Sequence, residues 1–121
     1  MFDPKKFAKS FYYAARGIVK VAREEQNFRV ELVAAAGVAV LMFVFDLSGT
    51  ERSILTLAIA LVLVLELLNS IFERMVDLQK PRLHPYVEDI KDIMAGTVFA
   101  AAIGSVVIAL LIFGPRLAAL I

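Results

Sequence analysis

The chain has 121 residues, carries a formal net charge of +1, is 60% hydrophobic and has a mean hydropathy of +0.79. That apolar share is well above that of ordinary water-soluble domains and points to a bilayer, while the near-zero charge excludes a general electrostatic binder of nucleic acid. Without cysteine, disulfides, iron–sulfur clusters and thiol chemistry are absent.

The first predicted element runs over about residues 5–27. Helical projection puts Phe7, Phe11, Ala14, Ala15, Ile18 and Ala22 on one face and Lys5, Lys9, Arg16, Lys20 and Arg23 opposite, as for a helix lying on a membrane surface. Glu25 falls on the apolar face and is expected to point toward the rest of the protein. The lysines here precede no apolar core with a small-residue cleavage site, so the segment does not read as a cleavable signal.

Three apolar stretches follow: Leu32 to Leu47, Ile54 to Leu65 with a polar-spotted continuation, and Ile93 to Phe113. The last is long enough to cross a hydrocarbon core of roughly 30 Å, which takes about 20 helical residues. The other two reach that length only if their polar ends stay helical and are shielded by protein. Spans are therefore expected over 28–47, 53–77 and 90–113, within one domain covering 1–121. Asp46 to Arg52 reads as a tight polar turn, Lys80 to Pro85 as a longer loop, and Gly114-Pro115 as the end of the last span. Lys and Arg cluster in the N-terminal segment and around the second loop, with only Arg52 and Arg116 on the opposite side. The positive-inside bias then places the N-terminus in the cytoplasm. Gly96, Ala100 and Gly104 recur at four-residue spacing and would admit a close helix neighbour.

Chemistry concentrates in Glu66-Leu-Leu-Asn-Ser-Ile-Phe-Glu-Arg-Met-Val-Asp77. At about 100° per residue, Glu66, Ser70, Glu73 and Asp77 share a narrow stripe with Asn69 at its margin. Carboxylates crowded on one face repel unless a cation or proton intervenes, so the stripe reads as a metal site, a proton relay or an Arg/Lys-paired network. The pair Lys91-Asp92 at the start of the third span reads equally as a phosphate contact or as an interfacial charge pair. His84, alone in a loop, reads first as a solvated surface residue. No phosphate-binding Gly-rich loop, protein-kinase signature, hydrolase elbow or zinc-type cluster occurs.

Glu66-x-x-Asn69-Ser70-x-x-Glu73-x-x-x-Asp77, followed after thirteen residues by Lys91-Asp92, resembles the signature of the prokaryotic diacylglycerol kinase and undecaprenol kinase family. Glu25-x-x-Phe28-Arg29-x-Glu31 matches it too, and the likeness runs from about Lys6 to Phe113. The resemblance implies an all-α membrane protein: a surface helix plus three transmembrane helices per subunit, in a homotrimer of a prokaryotic plasma membrane. It also implies ATP as co-substrate, Mg2+ as cofactor and a membrane lipid alcohol as acceptor. Glu25 and Glu73 match the family's metal ligands, Glu66 its proposed general base and Asn69 that base's neighbour. Lys91 and Asp92 match nucleotide contacts, as do Tyr13 and His84 less closely, and Asp77 would orient polar partners. Diacylglycerol is the expected acceptor and a polyprenol such as undecaprenol the alternative. Ile71-Phe72 replaces the family's usual small-then-aliphatic pair, which bears on the lipid groove. Two readings from other classes are a small proton-coupled transporter using Glu66, and a structural oligomer whose carboxylates pair with Arg29, Arg74 or Lys91.

Overall fold

A computed structural model describes residues 1–78 and 85–121. Among these the chain is all-helical: α1 (Pro4–Glu24), α2 (Gln26–Val44), α3 (Gly49–Asp77) and α4 (Pro85–Ala118). The last three are each long and apolar enough to cross a membrane. They pack as an antiparallel bundle in which α3 lies between α2 and α4. Cross-helix contacts fix the registers. Glu25 meets Ser70 at one end of α2 and α3, while Ser105 of α4 donates to the Ala58 carbonyl of α3 at 3.5 Å.

Asp3 starts α1 by accepting from the Lys5 amide at 3.0 Å, and Pro4 occupies the first turn, where its missing N–H costs nothing. No residue of α1 is buried. Phe7 and Phe11 meet edge to face at 5.1 Å and are both exposed, leaving the apolar face open along the helix. α1 ends at Glu24, and Glu25 is extended (φ −119°, ψ 120°) instead of continuing the helix. No glycine or proline forces this break. Arg29, one turn into α2, swings its guanidinium back onto the carbonyls of Ala22 and Arg23 at 3.0 and 2.8 Å, satisfying oxygens that a continuing helix would have bonded.

α3 begins with a capping box: the Ser48 hydroxyl accepts from the Glu51 amide at 3.1 Å, and Glu51 accepts from the Ser48 amide at 3.0 Å. The expected turn over Asp46 to Arg52 is thus helical from Gly49 onward. Beside this cap Leu47, Leu55, Ile112 and Phe113 form a buried apolar cluster, with Phe45 against Phe113 at 5.9 Å. α4 extends beyond the expected 90–113. It starts at Pro85 and runs through Pro115 to Ala118, since a proline this near the end forfeits only the one backbone bond its own N–H would have made; Arg116 also donates from its side chain to the Ile112 carbonyl at 2.8 Å. The Gly96, Ala100 and Gly104 stripe is exposed, and no atom of another helix lies within 4 Å of where a Cβ on either glycine would sit.

α3, with 29 residues, is about 43 Å long, some 13 Å more than the hydrocarbon core. Counted from Gly49, about 20 residues cross the core. Glu66 therefore sits near its far edge, and Glu73 and Asp77 lie beyond it.

Candidate functional site

The break at Glu25 turns its side chain onto α3, where the fully buried Ser70 hydroxyl donates to Glu25 Oε1 at 2.6 Å. Glu25 does face the bundle as expected, but from a hinge between two helices. One turn along α3, Arg74 donates from Nε to Ser70 Oγ at 3.3 Å and from its terminal nitrogen to Glu24 Oε2 at 2.6 Å; Glu25 Oε1 is 3.9 Å away. Asn69 Nδ2 donates to Glu73 Oε1 at 3.3 Å. Glu66, 2% exposed, makes side-chain contact with Glu31 of α2. Glu24, Glu25, Gln26, Asn27, Glu66, Asn69 and Glu73 line one open, polar cavity of about 340 Å3.

Negative charge is in excess here. Arg74 is engaged by Glu24, Lys91 binds Asp77 at 3.1 Å, and Arg29 is turned to the end of α1. Lys91 and Arg29 are thus committed elsewhere and Arg74 is shared between Glu24 and, at 3.9 Å, Glu25, so structural pairing fits at Glu24, Glu25 and Asp77 and leaves Glu66 and Glu73 without a cation in these pairs. The Arg74 guanidinium holds the Glu24 carboxyl below its ordinary value. Asn69 Oδ1 and Glu31 Oε2 are buried without a hydrogen-bond partner. Leaving such an atom unpaired costs about 1–3 kcal/mol, so each is an acceptor that a bound donor would satisfy.

Among the described residues no three acidic or histidine side chains converge closely enough to hold a metal by themselves. Two of the four carboxylates on this open cavity would suffice for magnesium nonetheless, because that ion keeps several water and phosphate oxygens and takes few from protein. Glu25 and Glu73 fit this requirement.

The structure therefore brings Glu25, Glu66, Asn69 and Glu73 to one cavity. Asp77, paired with Lys91, lies about 16 Å from Glu66 along α3. Asp92 is exposed. Tyr13 is exposed too, about 18 Å from Glu25 along α1, with its ring against Tyr12 at 5.5 Å. His84 lies outside the described residues. Ile71 and Phe72 are exposed and do not line this cavity. Sequence reasoning gave Glu31 and Glu24 no role. An acidic group one turn inside an apolar span was the available signal for Glu31; for Glu24, whose partner is fifty residues away, there was none.

Residues 12–113 match the family model for prokaryotic diacylglycerol kinase. The chain belongs to that family. An undecaprenol kinase of Bacillus subtilis is 43% identical over 112 residues, covering 93% of this chain and 91% of that protein. A diacylglycerol kinase of Synechocystis is 33% identical over 82% of this chain and 57% of its own length, and one of Pseudomonas aeruginosa 30% identical over 74% and 72%. With three membrane-spanning helices, this is a multi-pass membrane kinase acting on a lipid, which displaces the transporter reading.

Proposed function

We propose that the protein is a polyprenol kinase that transfers the γ-phosphate of ATP to the hydroxyl of undecaprenol or a closely related lipid alcohol. The observation that carries the choice of acceptor is the 43% identity, over nearly the full length of both chains, to an undecaprenol kinase. The two diacylglycerol kinases are more distant and match less of the chain, so the diacylglycerol expectation gives way to its alternative.

In this reading the lipid oxygen attacks the γ-phosphorus, an O–P bond forms, the bridging P–O bond to the β-phosphate breaks and ADP leaves. The transition state needs little from the protein besides placement and charge balance. Glu66, at the edge of the apolar core where an interfacial hydroxyl lies, accepts the hydroxyl proton. Glu31, in contact with it, offers that proton a second carboxylate. Asn69 fixes Glu73 through its amide N–H and keeps its oxygen for a donor from substrate. Ser70 and Arg74 hold Glu25 in place. Glu25 and Glu73 would hold Mg2+, which when bound neutralises charge on the phosphate oxygens. Lys91 and Asp92, at the mouth of the bundle, are nucleotide contacts in this scheme. A homotrimer in a prokaryotic plasma membrane, with the carboxylate end and N-terminus cytoplasmic where ATP is found, completes it.

The test is phosphorylation by purified protein in mixed micelles with labelled ATP and magnesium, offering undecaprenol and diacylglycerol separately. Undecaprenol should be the better acceptor. Preference for diacylglycerol would overturn the assignment of acceptor, and labelling of neither lipid would overturn the kinase scheme.

A further inference from the structure

Arg29 is exposed and forms no ion pair among the described residues, yet three hydrogen bonds tie it to the backbone on both sides of the break at Glu25. The last backbone bond of α1 is that of the Glu25 amide to the Val21 carbonyl at 2.8 Å, and the first of α2 is that of the Arg29 amide to the Glu25 carbonyl at 3.3 Å. Between them a continuous helix would put the amides of Gln26 and Asn27 on the carbonyls of Ala22 and Arg23. A single nitrogen of Arg29, Nη1, occupies both carbonyls instead, at 3.0 and 2.8 Å. α2 does not fix the break from its own side, because the Glu25 side chain caps none of its amides. Nor does local preference: Arg23-Glu24-Glu25-Gln26 consists of residues that favour an uninterrupted helix.

We propose that Arg29 is a positioning residue for the metal site: by standing in for two helical amides it holds Glu25 extended and so keeps the Glu25 carboxylate on the cavity it shares with Glu73; the ligand role of Glu25 rests on the kinase reading above. The extended backbone of Glu25, φ −119° and ψ 120°, is what brings its carboxylate to the Ser70 hydroxyl at 2.6 Å. Without the guanidinium, the Ala22 and Arg23 carbonyls recover backbone partners when residues 25–27 turn helical, a change that swings the Glu25 side chain away from Ser70. One side-chain bond then competes with two backbone bonds. The same geometry separates this role from two others. Both bonds leave from one nitrogen, so a lysine ammonium with three N–H groups can make them, whereas forked recognition of a phosphate needs the planar guanidinium. A purely electrostatic role has the opposite sign. Removing a cation near a carboxylate site strengthens the binding of a divalent ion, whereas releasing Glu25 weakens it.

The test measures, by electron paramagnetic resonance, Mn2+ binding to the whole protein in micelles with a non-hydrolysable ATP analogue; Mn2+ replaces Mg2+ because both take octahedral oxygen ligands. Beside it, spin labels on Val19→Cys of α1 and Met75→Cys of α3, both exposed positions, report the distance across the break. Arg29→Gln should raise the Mn2+ dissociation constant about tenfold, the lower end of what groups supporting a metal ligand contribute, and should shift and broaden the distance distribution. Arg29→Lys should restore both. A narrow, unshifted distance in Arg29→Gln would overturn the proposal, and so would tighter Mn2+ binding. So would a lysine variant as impaired as the glutamine one, since Arg29 would then contact a ligand through its fork. Glu25→Gln separates this claim from the kinase reading. If it weakens Mn2+ binding while Arg29→Gln leaves that binding unchanged, Ser70 and Arg74 suffice to hold Glu25, which overturns the proposal. If neither variant changes Mn2+ binding while Arg29→Gln shifts the labels, Glu25 is no ligand, so the reading of the metal site fails and the hold of Arg29 on the break stands.

Discussion

Two ends of the same bundle use glutamate in opposite ways. At the Gly49 end, Glu51 closes the capping box of α3 and takes both terminal nitrogens of Arg116 at 2.9 Å, a bidentate pair beside the Leu47, Leu55, Ile112 and Phe113 cluster. Each of its oxygens has a donor, and charge there is balanced. At the Glu66 end, Glu25, Glu31, Glu66 and Glu73 stand close together while nearby cations are held by Glu24, Asp77 and a helix terminus. Two buried oxygens there have no donor. One end is built for stability; the other keeps the repulsion and the unsatisfied acceptors that a cation and a substrate would relieve.

If that contrast is right, changes at the two ends should separate activity from stability. The largest effect is expected for Glu66→Gln, which keeps size and hydrogen bonding but cannot take a proton. Loss of a positioned base costs about 100-fold to 10,000-fold in rate, while nucleotide affinity, measured by calorimetry, should stay within about twofold. A parallel loss of nucleotide binding would move Glu66 into the nucleotide site. Next is Glu73→Gln. It should raise the magnesium concentration for half-maximal activity by at least about tenfold, since even groups that only support a metal ligand cost 10- to 100-fold in affinity. An unchanged magnesium dependence would remove Glu73 as a ligand.

How far the sequence revealed this contrast depended on whether the signal was periodic or spanned helices. Hydropathy exposes the three spans because a bilayer demands long apolar helices, and the 3.6-residue period alone lines up Glu66, Ser70 and Glu73. The break at Glu25 is invisible to propensity, because the group that caps α1 comes from Arg29 beyond the break. Glu31 joins the site only through the packing of α2 on α3, and no period within either helix reports that register. The Glu51–Arg116 pair joins residues 65 apart. Pro115 read as a stop because the local rule holds for helix interiors, whereas here only the last turn follows it. The proposed acceptor rests on relatives, since both candidate lipids present a hydroxyl at the same depth.

At the balanced end, Arg116→Gln tests the converse. It removes the ion pair and the bond to the Ile112 carbonyl but leaves the capping box intact, so the loss reports the Arg116 side chain as a whole. With both side chains about a quarter to a third exposed, solvent screens the pair, and a small loss of stability is expected in reversible unfolding in detergent. Turnover below the transition should be unchanged. A defect in catalysis at full stability would break the division of labour between the ends.

The smallest effect belongs to Glu24, and its sign is fixed by Arg74. A carboxylate on the last residue of α1 faces the negative end of the helix dipole, so its position is unfavourable except for the 2.6 Å bond to Arg74 of α3. That bond holds the Glu24 pKa below its ordinary 4.5. A carboxyl whose folded-state pKa is depressed contributes its full stabilisation above the unfolded value and loses it as pH falls through the folded value. The attachment of α1 to α3 should therefore be constant from neutral pH down to about 4.5 and weaken below it. Spin labels on Arg23→Cys and Met75→Cys, read as a distance distribution, should broaden in that acidic window. Glu24→Gln should give the broadened distribution at every pH, because it removes the charge that Arg74 holds. Since both partners are about half exposed, solvent and salt screen the contact, and added salt should mimic the acid effect at neutral pH. A distribution that stays narrow in acid and in the variant would show that α1 is held by its Arg29 cap and packing alone, and that charge at this end of the bundle serves the cavity rather than the attachment of the surface helix.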